Sequence, residues 1–352
     1  MLSERMSSLT PYTPGEQPRD NTYIKLNTNE NAYGPSPKIH EFLSGFDIDR
    51  LRLYPDPLSR NLRQALADEK GVDTKNVFLS NSSDEALSFT FYAFFDAPRG
   101  NLLFPTYTYS FYPVYAGFYD IPFTRMPLAD DYSINLDDYL ESKSCGVILP
   151  NPNAPTGIAL PISEIKRFLD SYPQDRVVVI DEAYIDFGAE SSVSLINDYP
   201  NLLVVGTFSK GKSLAALRLG FAIGQEGLIQ AISTVKDSFN SYPVDILAQH
   251  IGVIAIKDRE YYQEINGKIM KTRDEFTKKL DAMGWKTLPS KTNFLFTRKA
   301  GWSGEEIYKK LKDSGFLVRY FNQEGISDFV RITIGTDKDM KSLEATMDKL
   351  FS

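Results

Sequence analysis

The stretch Val177-Val178-Val179-Ile180-Asp181 is the clearest indication of the fold in the sequence. Four consecutive β-branched apolar residues predict a strand that is buried on both faces, as in a parallel sheet covered by helices. The aspartate marks the carboxyl end of this strand, and ligands gather at that edge in such sheets. The stretch therefore predicts both a fold class and the place of a site.

Similar short apolar runs recur along the chain, with helical patterns between them. The alternation predicts an α/β fold with a mostly parallel central sheet and helices on both faces. The further candidate strands of this sheet are Val77–Ser80, Asn101–Phe104, Gly146–Leu149, Leu202–Gly206 and Gly220–Gly224.

With 352 residues, the chain exceeds the size at which a single core usually stops growing. We predict an N-terminal arm over 1–35, a large domain over 36–244, and a long linking helix with a smaller α+β domain over 245–352. The arm is expected to pack on the smaller domain. Predicted elements of the last part are a helical stretch at Asp245–Gly284, strands at Thr292–Thr297, Phe316–Phe321 and Phe329–Ile334, and a helix at Asp339–Phe351.

Charge and composition limit the classes of function that we expect for this protein. The net charge of −7 argues against a nucleic-acid partner, which requires a concentrated basic face. Cys145 is the single cysteine, so an intrachain disulfide is excluded and a reducing compartment is favoured. Residues 1–20 lack the apolar run of a signal peptide, and no run of eighteen apolar residues follows. We expect a cytoplasmic enzyme that acts on small molecules, without a membrane partner.

Common metal and dinucleotide motifs do not occur in the sequence. The two histidines, His40 and His250, are isolated from one another and lack the spacing of metal ligands. No G-x-G-x-x-G sequence opens a helix after a strand. We therefore predict neither a metal site nor a dinucleotide site.

The most informative stretch is Gly206–Gly220, which follows a predicted buried strand and contains Lys210. A lysine at a strand end can be partly desolvated, and desolvation favours the neutral amine that forms a Schiff base. A Ser-Lys pair alone is usually a solvated turn. Near this lysine in the sequence are the hydroxyls of Thr207 and Ser209 and the planar cation of Arg218. Groups of these kinds are suited to bind a phosphate dianion.

Polar and aromatic residues follow three other predicted strands. Asp181 could keep a ring nitrogen protonated, although a helix N-cap is the alternative reading. The helix start near Ser83 and Asp84 could direct backbone N–H groups at an anion, although serines there are also ordinary caps. Tyr107 could stack on a planar cofactor or pack in the core.

Together these pieces resemble the fold-type I aminotransferases, which depend on pyridoxal 5'-phosphate, and among them the histidinol-phosphate aminotransferase family. The resemblance runs over nearly the whole chain. It lies in the ordered motifs Leu9–Gly15, Leu26–Asn31, Tyr54–Pro57, Pro150–Gly157, Asp181–Tyr184, Ser209-Lys210 and Val330–Thr336.

The resemblance implies a role for each matching residue. Lys210 would form the Schiff base with the cofactor and carry the proton, Asp181 would pair with the pyridinium, and Tyr184 would bond the O3′ oxygen. Tyr107 would stack on the ring, and Tyr54 would reach the phosphate in a neighbouring subunit of a homodimer. Positions that match the phosphate site are Ser82, Ser83, Asp84, Thr207, Ser209 and Arg218.

The resemblance also implies a substrate pocket. Arg331 matches the arginine that binds the α-carboxylate, and Arg319 a second contact to a substrate anion. Tyr12, Tyr33 and Asn293 are expected to line this pocket.

One position departs from the family's motif. An asparagine usually precedes Pro-Thr-Gly and bonds O3′, but Ala154 stands there and Asn153 lies one place earlier. Either Asn153 reaches the cofactor through a backbone shift or Tyr184 makes that contact alone, and we favour Asn153.

The implied reaction is transamination between L-histidinol phosphate and 2-oxoglutarate, which belongs to histidine biosynthesis. Threonine-phosphate decarboxylase and aromatic amino-acid aminotransferase remain the enzymatic alternatives. A regulator that binds the cofactor without turnover is a remote alternative, since the sequence contains no DNA-binding domain.

Overall fold

A computed structural model describes residues 2–3, 6–7, 9–12, 15–18 and 23–352, and every structural statement concerns these residues. Thr13 and Pro14, which belong to the Leu9–Gly15 motif, lie outside them. The strands are β1 (Ile24–Lys25), β2 (Val77–Asn81), β3 (Asn101–Pro105), β4 (Phe123–Met126), β5 (Ser144–Pro150), β6 (Val177–Asp181), β7 (Leu202–Thr207), β8 (Leu219–Gly224), β9 (Trp285–Thr287), β10 (Phe294–Lys299), β11 (Phe316–Leu317), β12 (Arg319–Tyr320) and β13 (Val330–Thr333).

Helices alternate with these strands through most of the chain. They are α1 (Pro37–Ser44), α2 (Arg60–Lys70), α3 (Ser82–Phe94), α4 (Tyr112–Phe118), α5 (Asp137–Glu141), α6 (Ile162–Ser171), α7 (Glu226–Phe239), α8 (Ile246–Lys257), α9 (Arg259–Ala282), α10 (Gly304–Asp313) and α11 (Asp337–Phe351).

The central sheet has the strand order β2-β8-β7-β6-β5-β3-β4. Its strands are parallel except β8, which is antiparallel to both β2 and β7. Every residue of β5 and β6 is buried, because separate apolar clusters cover the two faces of the sheet. The predicted α/β fold with a mostly parallel, doubly covered sheet is therefore confirmed, and β6 has the predicted bounds.

A second sheet, the small sheet, is antiparallel and has four strands in the order β12-β13-β10-β9. The short strand β1 pairs with β11 in parallel, and Glu16 accepts hydrogen bonds from Tyr308 and Lys312. These contacts place the N-terminal segment against the small sheet. The division of the chain at 35 and 244 into separate domains stays a prediction.

Two predicted elements differ from the observed ones, and the edge strand β4 was not predicted. The helical stretch is two helices, because α8 ends before Asp258 and α9 begins after it. The predicted strand Phe316–Phe321 is split, since β11 pairs with β1 while β12 pairs with β13. Strand β4 was not predicted, because it lies at the sheet edge with three exposed residues and has no apolar run. None of the described helices is long and apolar enough to cross a membrane.

Candidate active site

A cavity of about 290 Å³ lies at the carboxyl ends of the parallel strands of the central sheet. A second cavity of about 260 Å³ adjoins it and extends towards the small sheet. Tyr12, Tyr109, Ala154, Tyr184 and Lys210 line both cavities. The site predicted at the end of β6 is thus one continuous space with two parts.

Asp181 ends strand β6 in the first cavity and is 5% exposed. The Tyr112 hydroxyl donates to its Oδ2 at 2.6 Å, and the N–H of Ala183 donates to its Oδ1 at 3.2 Å. Burial raises the pKa of this carboxyl to about 6 against the effect of these two hydrogen bonds. No described Lys, Arg or His forms an ion pair with it, so the carboxylate is suited to a cationic group bound in the cavity.

Lys210 lies three residues after the end of β7, between the two cavities. Its Nζ donates to the carbonyl oxygen of Thr28 at 3.1 Å and lies 6.0 Å from the centre of the Tyr184 ring. No described carboxylate forms an ion pair with this amine. Its neighbour Lys212, by contrast, is held away from the cavities in an ion pair with Glu69 at 3.0 Å.

Hydroxyls and a guanidinium surround one end of the first cavity. Thr207 and Ser209 face each other at 3.0 Å between their hydroxyl oxygens, and Arg218 lies beside them. Ser83 at the start of α3 lines the same end. Donors of these kinds at a helix N-terminus suit a phosphate group.

Two residues predicted for this end, Asp84 and Ser82, contact Arg218, and Asp84 also lines the first cavity. Asp84 presents an anionic carboxylate, which pairs with Arg218 at 2.8 Å, and its backbone N–H donates to Ser82 Oγ. Ser82 is buried outside the cavity, where its own N–H donates to the carbonyl of Arg218 at 2.8 Å. Both residues therefore brace Arg218 and the start of α3.

Two tyrosines follow β3, and they line the cavities differently. The Tyr107 hydroxyl donates to the carbonyl of Glu324 at 2.8 Å, and this side chain lines the second cavity only. Tyr109 also lines the first cavity, and its hydroxyl donates to Asp84 at 2.7 Å. The stacking role of Tyr107 stays a prediction, and Tyr109 is the tyrosine of this pair that the structure places in the first cavity.

Asn153 does not reach the cavity either. Its amide donates to the carbonyl of Tyr107 at 2.9 Å and to Thr156 Oγ1 at 3.1 Å, so the side chain is held inside its own loop. Ala154 faces both cavities instead. Of the two side chains predicted for this contact, only that of Tyr184 lines the cavities.

Two arginines face the second cavity. Arg331 donates to the carbonyl of Asn27 at 2.8 Å, and Arg319 lines the cavity beside it. The ring of Phe321 lies 5.5 Å from each guanidinium. Burial lowers the pKa of Arg331, and neither arginine has an ion-pair partner among the described carboxylates. The pair is suited to anionic groups of a ligand.

The other predicted site residues are distributed differently. Tyr12 lines both cavities and stacks against Phe111 at 4.4 Å between ring centres. Asn293 and Tyr33 line neither cavity; Asn293 donates to the carbonyl of Asn29 at 3.0 Å. Tyr54 is 83% exposed, lines neither cavity of its own chain, and its ring lies against that of Tyr242.

Three residues that contact the site or its side chains were not predicted from the sequence. They are Asn29, which donates to the Tyr184 hydroxyl at 2.9 Å, and the tyrosines Tyr109 and Tyr112. The tyrosines belong to an aromatic run after β3 that could have indicated them. Within the described part of the chain, no cluster of His, Cys, Asp and Glu could hold a metal ion.

Comparison with known proteins adds evidence from sequence and fold. Residues 21–346 match the family described as aminotransferase class I and II. The chain is 56% identical to the histidinol-phosphate aminotransferase of Syntrophus aciditrophicus (strain SB), over 100% of this chain and 98% of that protein.

Two solved structures share the fold. One is the histidinol-phosphate aminotransferase of Sinorhizobium meliloti in complex with pyridoxal-5'-phosphate, with a TM-score of 0.88, 23% identity, and coverage of 99% of this chain and 97% of that one. The other is L-threonine-O-3-phosphate decarboxylase from Porphyromonas gingivalis, with a TM-score of 0.78 and 23% identity. The match covers 93% of this chain and 98% of that one. Because aminotransferase and decarboxylase share this architecture, the fold does not distinguish their reactions.

Proposed function

This chain belongs to the class I and II aminotransferases, within the histidinol-phosphate aminotransferase family, and on that premise we propose that it transfers an amino group between L-histidinol phosphate and 2-oxoglutarate. The products are imidazole-acetol phosphate and L-glutamate, in histidine biosynthesis. The observation that carries the proposal is the position of Lys210 between a cavity with a buried carboxylate and a cavity with two unpaired arginines.

The residues of the first cavity fit pyridoxal 5'-phosphate. Asp181 is a buried carboxylate without a cationic partner among the described residues, as the protonated ring nitrogen requires. Thr207, Ser209 and Arg218 suit the phosphate, and Tyr109 offers a ring face. When bound, this cofactor withdraws electrons from the carbon that carries the amino group.

The chain's own groups then perform defined tasks. Lys210 Nζ would bind the cofactor covalently and would move the proton of the substrate. Asp181 would keep the ring nitrogen protonated, and the Tyr184 hydroxyl would donate to the ring oxygen. Arg319 and Arg331 bind carboxylate or phosphate, since the planar guanidinium accepts either anion in a bidentate manner. One pocket can thereby accept both substrates.

We also propose a homodimer in the cytoplasm. The exposed position of Tyr54, away from both cavities of its own chain, supports a contact with the site of a neighbouring subunit. The single cysteine supports a reducing compartment.

Replacement of Lys210 tests the proposal. Lys210→Ala should still bind pyridoxal phosphate through the remaining contacts, but borohydride should no longer attach it to the protein. Turnover of histidinol phosphate with 2-oxoglutarate should fall by at least about 10²–10⁴-fold, since an essential proton carrier is lost. Peptide mapping after reduction measures the attachment, and a stopped assay measures turnover.

Lys212→Ala is the matched control, because this lysine is paired with Glu69 and lines neither cavity. It should keep both the reducible attachment and the turnover. Attachment of the cofactor to Lys212 would overturn the proposal, as would release of carbon dioxide from threonine phosphate in place of transamination.

A further inference from the structure

Three consecutive residues of the N-terminal segment each contact one side chain of the site. The carbonyl of Asn27 accepts from Arg331, the carbonyl of Thr28 accepts from Lys210, and the amide of Asn29 donates to the Tyr184 hydroxyl at 2.9 Å. The first two contacts use the backbone, which any residue provides. The third depends on the side chain, so it makes a specific demand on the residue at position 29.

Two hydrogen bonds join Asn29 to Thr333. The backbone N–H of Asn29 donates to Thr333 Oγ1 at 3.1 Å. The hydroxyl of Thr333 donates to Asn29 Oδ1 at 2.9 Å. With Oδ1 facing Thr333, the Nδ2 group faces Tyr184 and donates to its hydroxyl oxygen.

Tyr184 consequently receives a hydrogen bond on its oxygen and keeps its own proton to donate. Among the described residues, no acceptor for that proton is found, and the side chain lines both cavities. We propose that Asn29 is a positioning residue, which directs the hydroxyl proton of Tyr184 into the cavity towards the ring oxygen of the cofactor. This inference rests on the proposed function, because it requires pyridoxal phosphate on Lys210.

The local structure holds Asn29 firmly for this task. It is 1% exposed, and its backbone φ of 58° lies in the left-handed region that asparagine tolerates. Its carbonyl accepts from Asn293, so each of its polar groups has a partner. Tyr184 follows strand β6, Thr333 ends strand β13, and Asn293 directly precedes strand β10, which gives Asn293 a supporting role outside the substrate pocket.

Donation by Tyr184 has a measurable electrostatic effect. A hydrogen bond to the ring oxygen stabilises the negative charge on that oxygen. A nitrogen joins Lys210 to the cofactor and carries a proton, which the ring oxygen attracts. Because the hydrogen bond weakens this attraction, it lowers the pKa of that nitrogen. Loss of the donor should therefore raise this pKa, which is visible as a pH-dependent change in the absorbance of the bound cofactor.

The variant Asn29→Gly removes the amide and suits the left-handed backbone. We expect the pKa of the Lys210-linked nitrogen to rise by roughly 0.5 to 1, as one hydrogen bond is weakened. Tyr184→Phe should raise it by at least as much, and the double variant should match Tyr184→Phe alone. Thr333→Val should shift the pKa in the same direction, since it frees the amide to turn.

Asn76→Ala is the control for loss of a buried asparagine, whose amide donates to the carbonyl of Gly224 away from the site. It should leave the absorbance titration unchanged. An unchanged pKa in Asn29→Gly, or effects of Asn29→Gly and Tyr184→Phe that simply add, would overturn the role of Asn29. Absence of the cofactor from Lys210 in the unmodified protein would instead overturn the proposed function, so the two failures are distinguishable.

Discussion

At the scale of the single residue, Asp181 combines a stability cost with a binding function. Burial raises the pKa of its carboxyl from 3.8 to about 6 in the protein without cofactor. The folded protein therefore binds this proton more tightly than the unfolded chain does. The contribution of Asp181 to the free energy of unfolding therefore falls as the pH rises from about 4 to about 6, and this loss persists above that range.

Asp181→Asn should make the cofactor-free protein more stable and the reaction much slower. Above pH 6 the cofactor-free variant should be more stable than the unmodified protein by up to about 3 kcal/mol, because the buried charge is gone. Below pH 4 the difference should vanish. The loaded variant should retain cofactor but lose most transamination. Denaturant unfolding at pH 4 and pH 8 measures the first effect, and an assay measures the second.

Comparison with the unmodified protein isolates Asp181 in this experiment. Burial also raises the pKa of Glu182, to about 7, but this residue is present in both proteins and its contribution cancels. Its carboxylate is held by Ser191 and by the N–H of Ser192, outside both cavities. A variant less stable than the unmodified protein at pH 8, or one with normal turnover, would remove Asp181 from the proposed role.

At the scale of elements, the close approach of β8 to the start of α3 shapes the phosphate end of the site. Strand β8 passes so near that a Cβ on Gly220 would lie 2.2 Å from the backbone nitrogen of Ser83 and 2.3 Å from the carbonyl carbon of Ser82. Backbone atoms cannot yield as a flexible side chain can. The glycine thus sets the distance between Arg218 and the N-terminus of the helix.

Gly220→Ala should displace the start of α3. We expect the free energy of unfolding to fall by about 1–3 kcal/mol through overpacking, and the affinity for pyridoxal phosphate to fall with it. Unfolding in denaturant and a fluorescence titration with the cofactor measure the two effects. Gly267→Ala in α9 is the control, since nothing lies within 4 Å of its added methyl. The free energy of unfolding of Gly267→Ala should rise by about 1 kcal/mol, and its affinity for pyridoxal phosphate should be unchanged. Equal cofactor affinity in Gly220→Ala and Gly267→Ala would contradict the role of Gly220.

At the scale of the whole molecule, large apolar side chains surround Tyr54 on the surface. Leu53, Tyr54 and Tyr242 are 54%, 83% and 42% exposed. Monomeric proteins rarely expose contiguous apolar patches of large size, and such patches mark sites of association. The patch is therefore where the proposed homodimer would form, with Tyr54 extending towards the neighbour's phosphate site.

Tyr54→Phe should keep the dimer, because its ring remains, while the affinity for pyridoxal phosphate falls by roughly 2- to 12-fold, as expected for one hydrogen bond. Light scattering gives the mass and a titration gives the affinity. Tyr92→Phe is the control, as this tyrosine is also exposed (64%) but lies on α3 beside Tyr119. A fully active, stable monomer would refute the shared site.

Much of the fold and the centre of the site follow from the sequence alone. Strand β6 has the predicted bounds because burial on both faces requires an uninterrupted apolar run, which is a local pattern. Asp181 ends β6 and Lys210 follows the neighbouring strand β7, so the parallel sheet brings them to one edge. Strand β4 and the split of Phe316–Phe321 were missed, because exposure at an edge and the choice of pairing partner leave no local pattern.

The tertiary structure alone decided which side chains turn into the cavities. Tyr107 and Tyr109 lie two residues apart after the same strand, and only packing places Tyr109 in the first cavity, where its hydroxyl donates to Asp84. Asn29 meets Tyr184 and Thr333 across 155 and 304 residues of chain. The sequence by itself determined the elements and the chemistry at their ends, because these depend on neighbouring residues. The orientation of each donor required the packed structure, because a hydrogen bond depends on distance and angle between groups that only folding brings together.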